Sequence, residues 1–356
     1  MKKVRTEISR VAALQRNMDA RSIEALLVTR HENVRYLTGF TGSSGSVVVA
    51  RGRWILITDF RYKIQAAAEA PGSKAIIQKK DHVTAIRDAA RRLGAETLWF
   101  DESSLSIDVV RSFKKLGLRL KGTNDPVAEM RQRKDKVELA KIKLAIGRAE
   151  DSFRALKRFI KPGASESELG LKLEMLIREQ GSRRPAFDSI VASGKNGAMP
   201  HASITGRRLR TGDLVTFDFG AEADGYCSDI TRTLCVGRPS PRQRYIHDLV
   251  LQAQESAIKA AKPGIRCAEL DLHARSVISK AGHSKHFGHA TGHGVGLMVH
   301  EGPTISALSK GIVEDGMVFT VEPGVYIAGW GGVRIEDMVH VTAHGNRVLT
   351  SLPREL

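Results

Sequence analysis

The sequence predicts a two-domain α+β chain, an α/β domain followed by an α+β domain that is internally duplicated. Three observations predict it. At 356 residues the chain is longer than one ordinary hydrophobic core serves. Residues 1–125 alternate helical stretches with short apolar runs, the pattern of an α/β layer. Residues 161–181 then return in altered form at 262–282, the mark of a repeat.

The elements follow in order. Residues 23–29 and 54–59 are short apolar runs that read as buried strands, the second ended by Phe60-Arg61-Tyr62. Residues 39–45 are glycine-rich, but they lack the closing Gly-Lys-Ser/Thr of a phosphate-binding loop and the GxGxxG spacing. A plain turn before the strand at 46–49 is expected there. Gly122-Thr123-Asn124-Asp125-Pro126 carries four turn formers in five residues, so the domains are expected to be 1–125 and 126–356. Beyond that turn Ile142, Ala145, Ala149, Phe153, Leu156 and Ile160 recur at three- and four-residue steps, predicting a long amphipathic helix. Lys161-Pro162-Gly163 ends it.

The repeat is gapless at an offset of 101, with eight of 21 pairs identical, against about one or two by chance. Each copy is a Lys-Pro-Gly turn leading into a helix, and Ser165 with Glu168 forms a capping box in the first. Downstream, residues 212–220 match residues 316–324, setting Asp218 opposite Glu322. A later pair, Asp229 and Glu336, follows. Two related α+β units thus contribute two carboxylates each, and a site shared by them is expected on a pseudo-twofold axis.

Asp218 and Asp229 flank Asp224-Gly225, a strong hairpin signal. Strand parity then puts both aspartates on one face as near neighbours. Glu322 and Glu336 flank residues 329–332 in the same way, with Arg334 on the face of Glu336. His293, in Gly-His-Gly-Val-Gly, has glycines on both sides that allow close backbone approach and leave the imidazole facing a cavity. A lone Asp in a hairpin is ordinarily a surface residue. Here Phe217-Asp218-Phe219 and Val321-Glu322-Pro323 set acids inside strands destined for burial, and buried acids need partners. Four carboxylates and one imidazole suit two hard to borderline divalent ions better than a single zinc.

Composition narrows the alternatives. Hydrophobic content of 42% and charged content of 27% are those of a globular protein. No apolar run reaches the roughly 18 residues of a membrane helix, and the basic start lacks an apolar signal region. Cys227, Cys235 and Cys267 form no disulfide framework or zinc finger, so a reducing, cytoplasmic location is expected. The net charge of +17 raises a nucleic-acid partner. Aromatics at 5% and basic residues spread along the chain argue against it.

These motifs together resemble the proline-specific pita-bread metallopeptidases: aminopeptidase P, prolidase and the catalytically distinct creatinase. The motifs are Thr-Phe-Asp-Phe-Gly at Asp218, Ser-Asp-Ile-Thr-Arg-Thr at Asp229, Gly-His-Gly-Val-Gly at His293, Val-Glu-Pro-Gly at Glu322 and Arg-Ile-Glu-Asp at Glu336. The resemblance spans essentially the whole chain and implies a creatinase-like amino-terminal α/β domain before a pita-bread catalytic domain. It implies two divalent ions, manganese foremost and cobalt or zinc otherwise, held by Asp218, Asp229, His293, Glu322 and Glu336. Creatinase does not keep this set, so metal-activated hydrolysis of an amino-terminal Xaa-Pro bond is the implied activity. A peptide substrate with proline second, a homodimer and no membrane partner go with it.

His201, in Met-Pro-His-Ala, resembles the family histidine that contacts substrate, and His300, in Val-His-Glu, the one that supports the scissile carbonyl. Glu322 is expected to shuttle a proton as well as bind metal. Arg334 is expected to orient Glu336 or to reach the substrate's carboxyl end. His286 and His289 are read as loop residues, and Cys227 is given no role. Two other readings stand beside this one: a methionine-type aminopeptidase, and a non-catalytic pita-bread module binding nucleic acid. Substrate length is not readable from the motifs.

Overall fold

Ala25–Val28 (β1) and Gly45–Ala50 (β2) are buried at every residue, which requires a sheet covered on both faces. They join Arg53–Thr58 (β3), Lys74–Ile77 (β4), Thr97–Asp101 (β5) and Arg119–Thr123 (β6) in a mixed sheet of order β4-β3-β2-β1-β5-β6. Gly39 closes the preceding helix, and the glycine-rich stretch then runs irregularly, with a bend at 43–44, into β2 at Gly45. The structure, a computed structural model, describes residues 2–356 and divides into two units, Met1–Arg131 and Gln132–Leu356.

The division falls after Arg131 rather than after Asp125, for a local reason. Asp125 accepts the Val127 and Ala128 amides at 3.0 and 2.9 Å, starting a helix at Pro126–Arg131. Asn33 then grips both ends of that helix: it donates to Asp125 at 2.6 Å and accepts from Arg131 at 2.8 Å. The turn formers therefore open one more helix of the first unit.

In the second unit the expected long helix runs Lys136–Leu156, capped by Asp135 and Glu138, and buries Ile142, Ala145, Ala149, Phe153 and Leu156. The helix Glu166–Glu179 follows, with the Ser165–Glu168 capping box formed. A second pair, Pro241–Ala260 and Cys267–Lys280, repeats this order, and both short helices have 14 residues. The duplication extends to the backbone. Gly163 donates to Leu209 as Gly264 does to Val313, both at 2.9 Å. Leu209 and Val313 return bonds to Ala164 and Ile265 at 2.8 and 2.9 Å.

Each copy supplies a sheet. The first holds Ile190–Ser193 (β7), Leu214–Phe219 (β8) and Ile230–Cys235 (β11), in order β11-β8-β7. The small hairpin Glu222–Ala223 (β9) and Tyr226–Cys227 (β10) sits between the last two. The second has Gly292–Gly294 (β12), Glu301–Ile305 (β13), Val318–Val321 (β14), Asp337–Thr342 (β17) and Gly345–Val348 (β18), in order β13-β12-β14-β17-β18. Gly324–Ile327 (β15) and Gly331–Arg334 (β16) form a separate two-stranded hairpin that lies in sequence between β14 and β17.

Strand alternation decides what the acids face. On β8, Phe217 and Phe219 point into the core, where Phe153 meets them at ring distances of 5.4 and 4.8 Å. Asp218, between them, must point the other way. Truncating Phe217 would leave a core cavity worth about 3–5 kcal/mol, which measures how firmly the packing holds the aspartate on its own side.

Candidate metal centre and active site

The first hairpin turns through Asp224 and Gly225, with φ of 46° and 77°. Two positive φ values make a two-residue turn of the kind that matches strand twist, and they set the register. Asp218 pairs with Thr231, so Asp229 lies one diagonal step away on the same face. In the second copy Val321 pairs with Asp337 and Gly324 with Arg334, which brackets Glu322 directly opposite Glu336. The copies meet where the Glu336 amide donates to the Thr231 carbonyl at 3.1 Å.

His293 enters from β12, squeezed between β13 and β14. A side chain on Gly292 would collide with the Thr320 carbonyl and one on Gly294 with the Gly302 carbonyl, so only glycine fits on either side. The ring Nδ1 faces the Gly294 carbonyl at 3.1 Å, which leaves Nε2 free to ligate. Nε2 stands 3.5 Å from Asp229 and 3.4 Å from Glu322. Donor atoms of Asp229, His293 and Glu336 all lie within 4.8 Å of one another.

All eight residues singled out from the sequence line one cavity of about 270 Å³: Asp218, Asp229, His293, Glu322, Glu336, His201, His300 and Arg334. His300 packs edge-on against His293 with ring centroids 4.3 Å apart. His201 and His300 are both exposed to the cavity side, whereas Asp229 and Glu336 are buried.

Charge is the dominant feature. Burial, then repulsion from Glu336, Asp218 and Glu322, holds the Asp229 carboxyl well above the usual range. Burial and repulsion from Glu322 and Asp218 do the same to Glu336. Burial lifts Glu322 to about 7 despite the opposing pull of Arg334, and burial with nearby His300 pushes His293 down to about 4. Five carboxylates, Asp188 with Asp218, Asp229, Glu322 and Glu336, thus face one guanidinium among the cavity-lining residues. Asp218 Oδ1 is buried without a hydrogen-bond partner, which costs about 1–3 kcal/mol if left so. Excess negative charge, an orphaned carboxylate oxygen and a free imidazole nitrogen are what divalent cations satisfy, so the donor set fits two such ions.

Arg334 serves Asp218 first, donating to its Oδ2 at 2.6 Å. It reaches Glu336 only through Thr231, whose hydroxyl accepts from Arg334 Nε at 3.1 Å and donates to Glu336 at 2.7 Å. Its remaining contacts are the Pro200 carbonyl at 3.2 Å and the Tyr326 hydroxyl at 2.9 Å, and the side chain is buried.

Three site residues escape the sequence reading. Thr231 could have been found, since it lies two residues after Asp229 on the same strand face. His289, read as a loop residue, lines the cavity. Its Nδ1 donates to the Ala290 carbonyl at 2.7 Å, so Nε2 accepts from the Tyr326 hydroxyl at 2.9 Å. Burial pushes His289 down to about 4 and the Tyr326 phenol up to about 12, so both stay neutral. No local signal marks Tyr326. His286 is not among the lining residues and pairs instead with His283 at 3.1 Å. Cys227 is buried with its thiol pushed up to about 12, which makes it no nucleophile.

Comparison with known proteins adds an independent line. Residues 140–343 match the profile of metallopeptidase family M24, and residues 10–133 that of the creatinase/prolidase N-terminal domain. An Xaa-Pro dipeptidase of Pyrococcus horikoshii is 37% identical over 95% of this chain and 96% of its own. Among solved structures, an Xaa-Pro dipeptidase from Bacillus anthracis superposes with a TM-score of 0.95 at 38% identity, covering 98% and 99% of the two chains. An X-Pro aminopeptidase from Thermotoga maritima gives 0.87 at 37%, covering 93% and 96%.

Proposed function

The chain belongs to metallopeptidase family M24 and carries a creatinase/prolidase N-terminal domain, and from that premise we propose that it hydrolyses the amino-terminal Xaa-Pro bond of dipeptides or short peptides. The observation that carries this is the gathering of four carboxylates and His293 in one cavity with more negative charge than Arg334 can balance.

Asp218, Asp229, His293, Glu322 and Glu336 would hold two divalent ions, and the oxygen-rich set favours manganese, with cobalt or zinc as substitutes. Such ions supply Lewis-acid polarisation of a carbonyl and a nucleophilic water at neutral pH. The protein's own groups do the rest. Glu322 lines the cavity beside the other ligands and would also carry a proton to the departing proline nitrogen. His300 and His201 face the cavity and can donate to the carbonyl oxygen as charge develops on it. Arg334 and Thr231 keep Asp218 and Glu336 aimed inward. Phe187, Ile190 and Val299 provide an apolar wall for the pyrrolidine ring.

Among the described residues no helix is long and apolar enough to cross a membrane. A cytoplasmic homodimer is the assembly that goes with this reading. The deciding experiment compares an Ala-Pro dipeptide, an Ala-Pro-Gly tripeptide and an Ala-Ala dipeptide with the manganese-loaded protein. Cleavage of the dipeptide alone indicates a dipeptidase, and cleavage of the tripeptide as well indicates an aminopeptidase. Failure to cleave either proline peptide, or faster cleavage of Ala-Ala, would sink the proposal.

A further inference from the structure

Behind the metal centre, Arg232 uses all five of its N–H donors. Nη1 donates to the carbonyls of Thr231 at 2.8 Å and Glu336 at 2.6 Å. Nη2 donates to Asp337 at 2.7 Å and to the Leu352 carbonyl at 2.8 Å, and Nε to the Pro353 carbonyl at 2.9 Å. Arg232 is 1% exposed and Asp337 0%. Asp337 in turn accepts from Thr350 at 2.5 Å, Arg354 at 2.6 Å and Gln254 at 2.8 Å.

A buried ion pair is weak evidence of a gain in stability, because desolvation offsets most of the attraction. The repeat sharpens the point. Asp229 and Glu336 stand 107 apart (336 − 229), and the same spacing sets Arg232 against Val339, which is also buried. The duplicated architecture therefore folds with an apolar residue at this place. What the first copy gains from arginine is a tether: one rigid fork joins the carbonyl of Glu336, the strand carrying Thr231, and the segment 350–354.

We propose that Arg232 is a positioning residue for Glu336, and that through it the docking of residues 350–354 sets the affinity of the metal centre. The proposal rests on the metal-binding reading above. A guanidinium that fixes the main chain of Glu336 removes its freedom to swing away, so less order must be imposed when an ion binds.

The test is a manganese titration of the metal-free full-length protein against a fluorescent chelator. The proteins compared are wild type, Arg232→Met, Arg232→Lys and the double variant Thr350→Val with Arg354→Gln. Arg232→Met should weaken at least one ion about 10- to 100-fold, with Arg232→Lys intermediate. The double variant, which leaves Arg232 and every ligand in place, should shift the same ion in the same direction by a smaller factor. Urea midpoints with and without manganese separate the roles. A merely structural part would lower both equally and leave affinity untouched, which would overturn the proposal. If Arg232→Met does not fold, unchanged affinity in the double variant overturns it just as well. A wild type that takes up no manganese would refute the metal reading itself, and is told apart by that.

Discussion

Replacing Glu322 by Gln should make the metal-free protein more stable at pH 8 while destroying its activity. The carboxyl is moved from 4.5 to about 7, chiefly by burial. That move, at about 1.36 kcal/mol per pH unit, amounts to about 3 kcal/mol. The sign follows from a folded value above the unfolded one. The contribution is fully present below 4.5, where the group is protonated in both states, and is lost as pH rises through 7. Glutamine is always neutral and keeps an oxygen for the Thr320 hydroxyl, which donates to Glu322 at 3.4 Å. Relief of Glu336, which Glu322 repels, adds in the same direction. The variant should therefore gain about 3 kcal/mol at pH 8 and under about 0.5 kcal/mol at pH 4.5. Urea unfolding of chelator-dialysed protein measures this, read by Trp330 with Trp54 and Trp99 changed to Phe. An equal gain at both pH values, or none at pH 8, would refute the reasoning. Adding manganese should narrow or reverse the ranking, because wild type, with all five ligands, gains more from binding.

Asp229→Ala should lose most hydrolysis and at least one bound metal, and two full equivalents in an active variant would contradict the ligand assignment. His300→Ala should lower kcat by about 10²- to 10³-fold at unchanged metal content, as loss of one donor to a developing oxyanion does. A kcat within twofold of wild type would remove His300 from the chemistry. Chelation should abolish hydrolysis of the proline dipeptide and manganese or cobalt should restore it. Activity that survives exhaustive dialysis against chelator, with metal analysis reading zero, would rule out the metal role.

Much of the site is legible in one dimension because its parts are local. Burial of Phe217 and Phe219 against Phe153 turns Asp218 to the other face, and period-two alternation along the strand is enough to require it. Asp224-Gly225 fixes the first hairpin's register by backbone sterics alone, and Gly292 and Gly294 announce the tight passage of β12. The capping box at Ser165 marks a helix start within four residues. The boundary near Asp125 is harder to place, since turn formers equally well begin a helix, and only the grip of Asn33 on Asp125 and Arg131 keeps that helix with the first unit.

What the sequence by itself determined is the set of chemical donors, the hairpins that present them and the duplication that relates them. Each depends on residues a few positions apart, where dihedral preference and strand parity act. Only the tertiary structure decided which groups meet: Arg334 with Asp218, Thr231 with Glu336, Tyr326 with His289, and Arg232 with the segment 350–354. Most of these pairs join residues about a hundred positions apart, one from each copy of the repeat or one from the tail. Their choice follows from packing two sheets around one cavity and pairing buried polar groups across it, and no local periodicity encodes that.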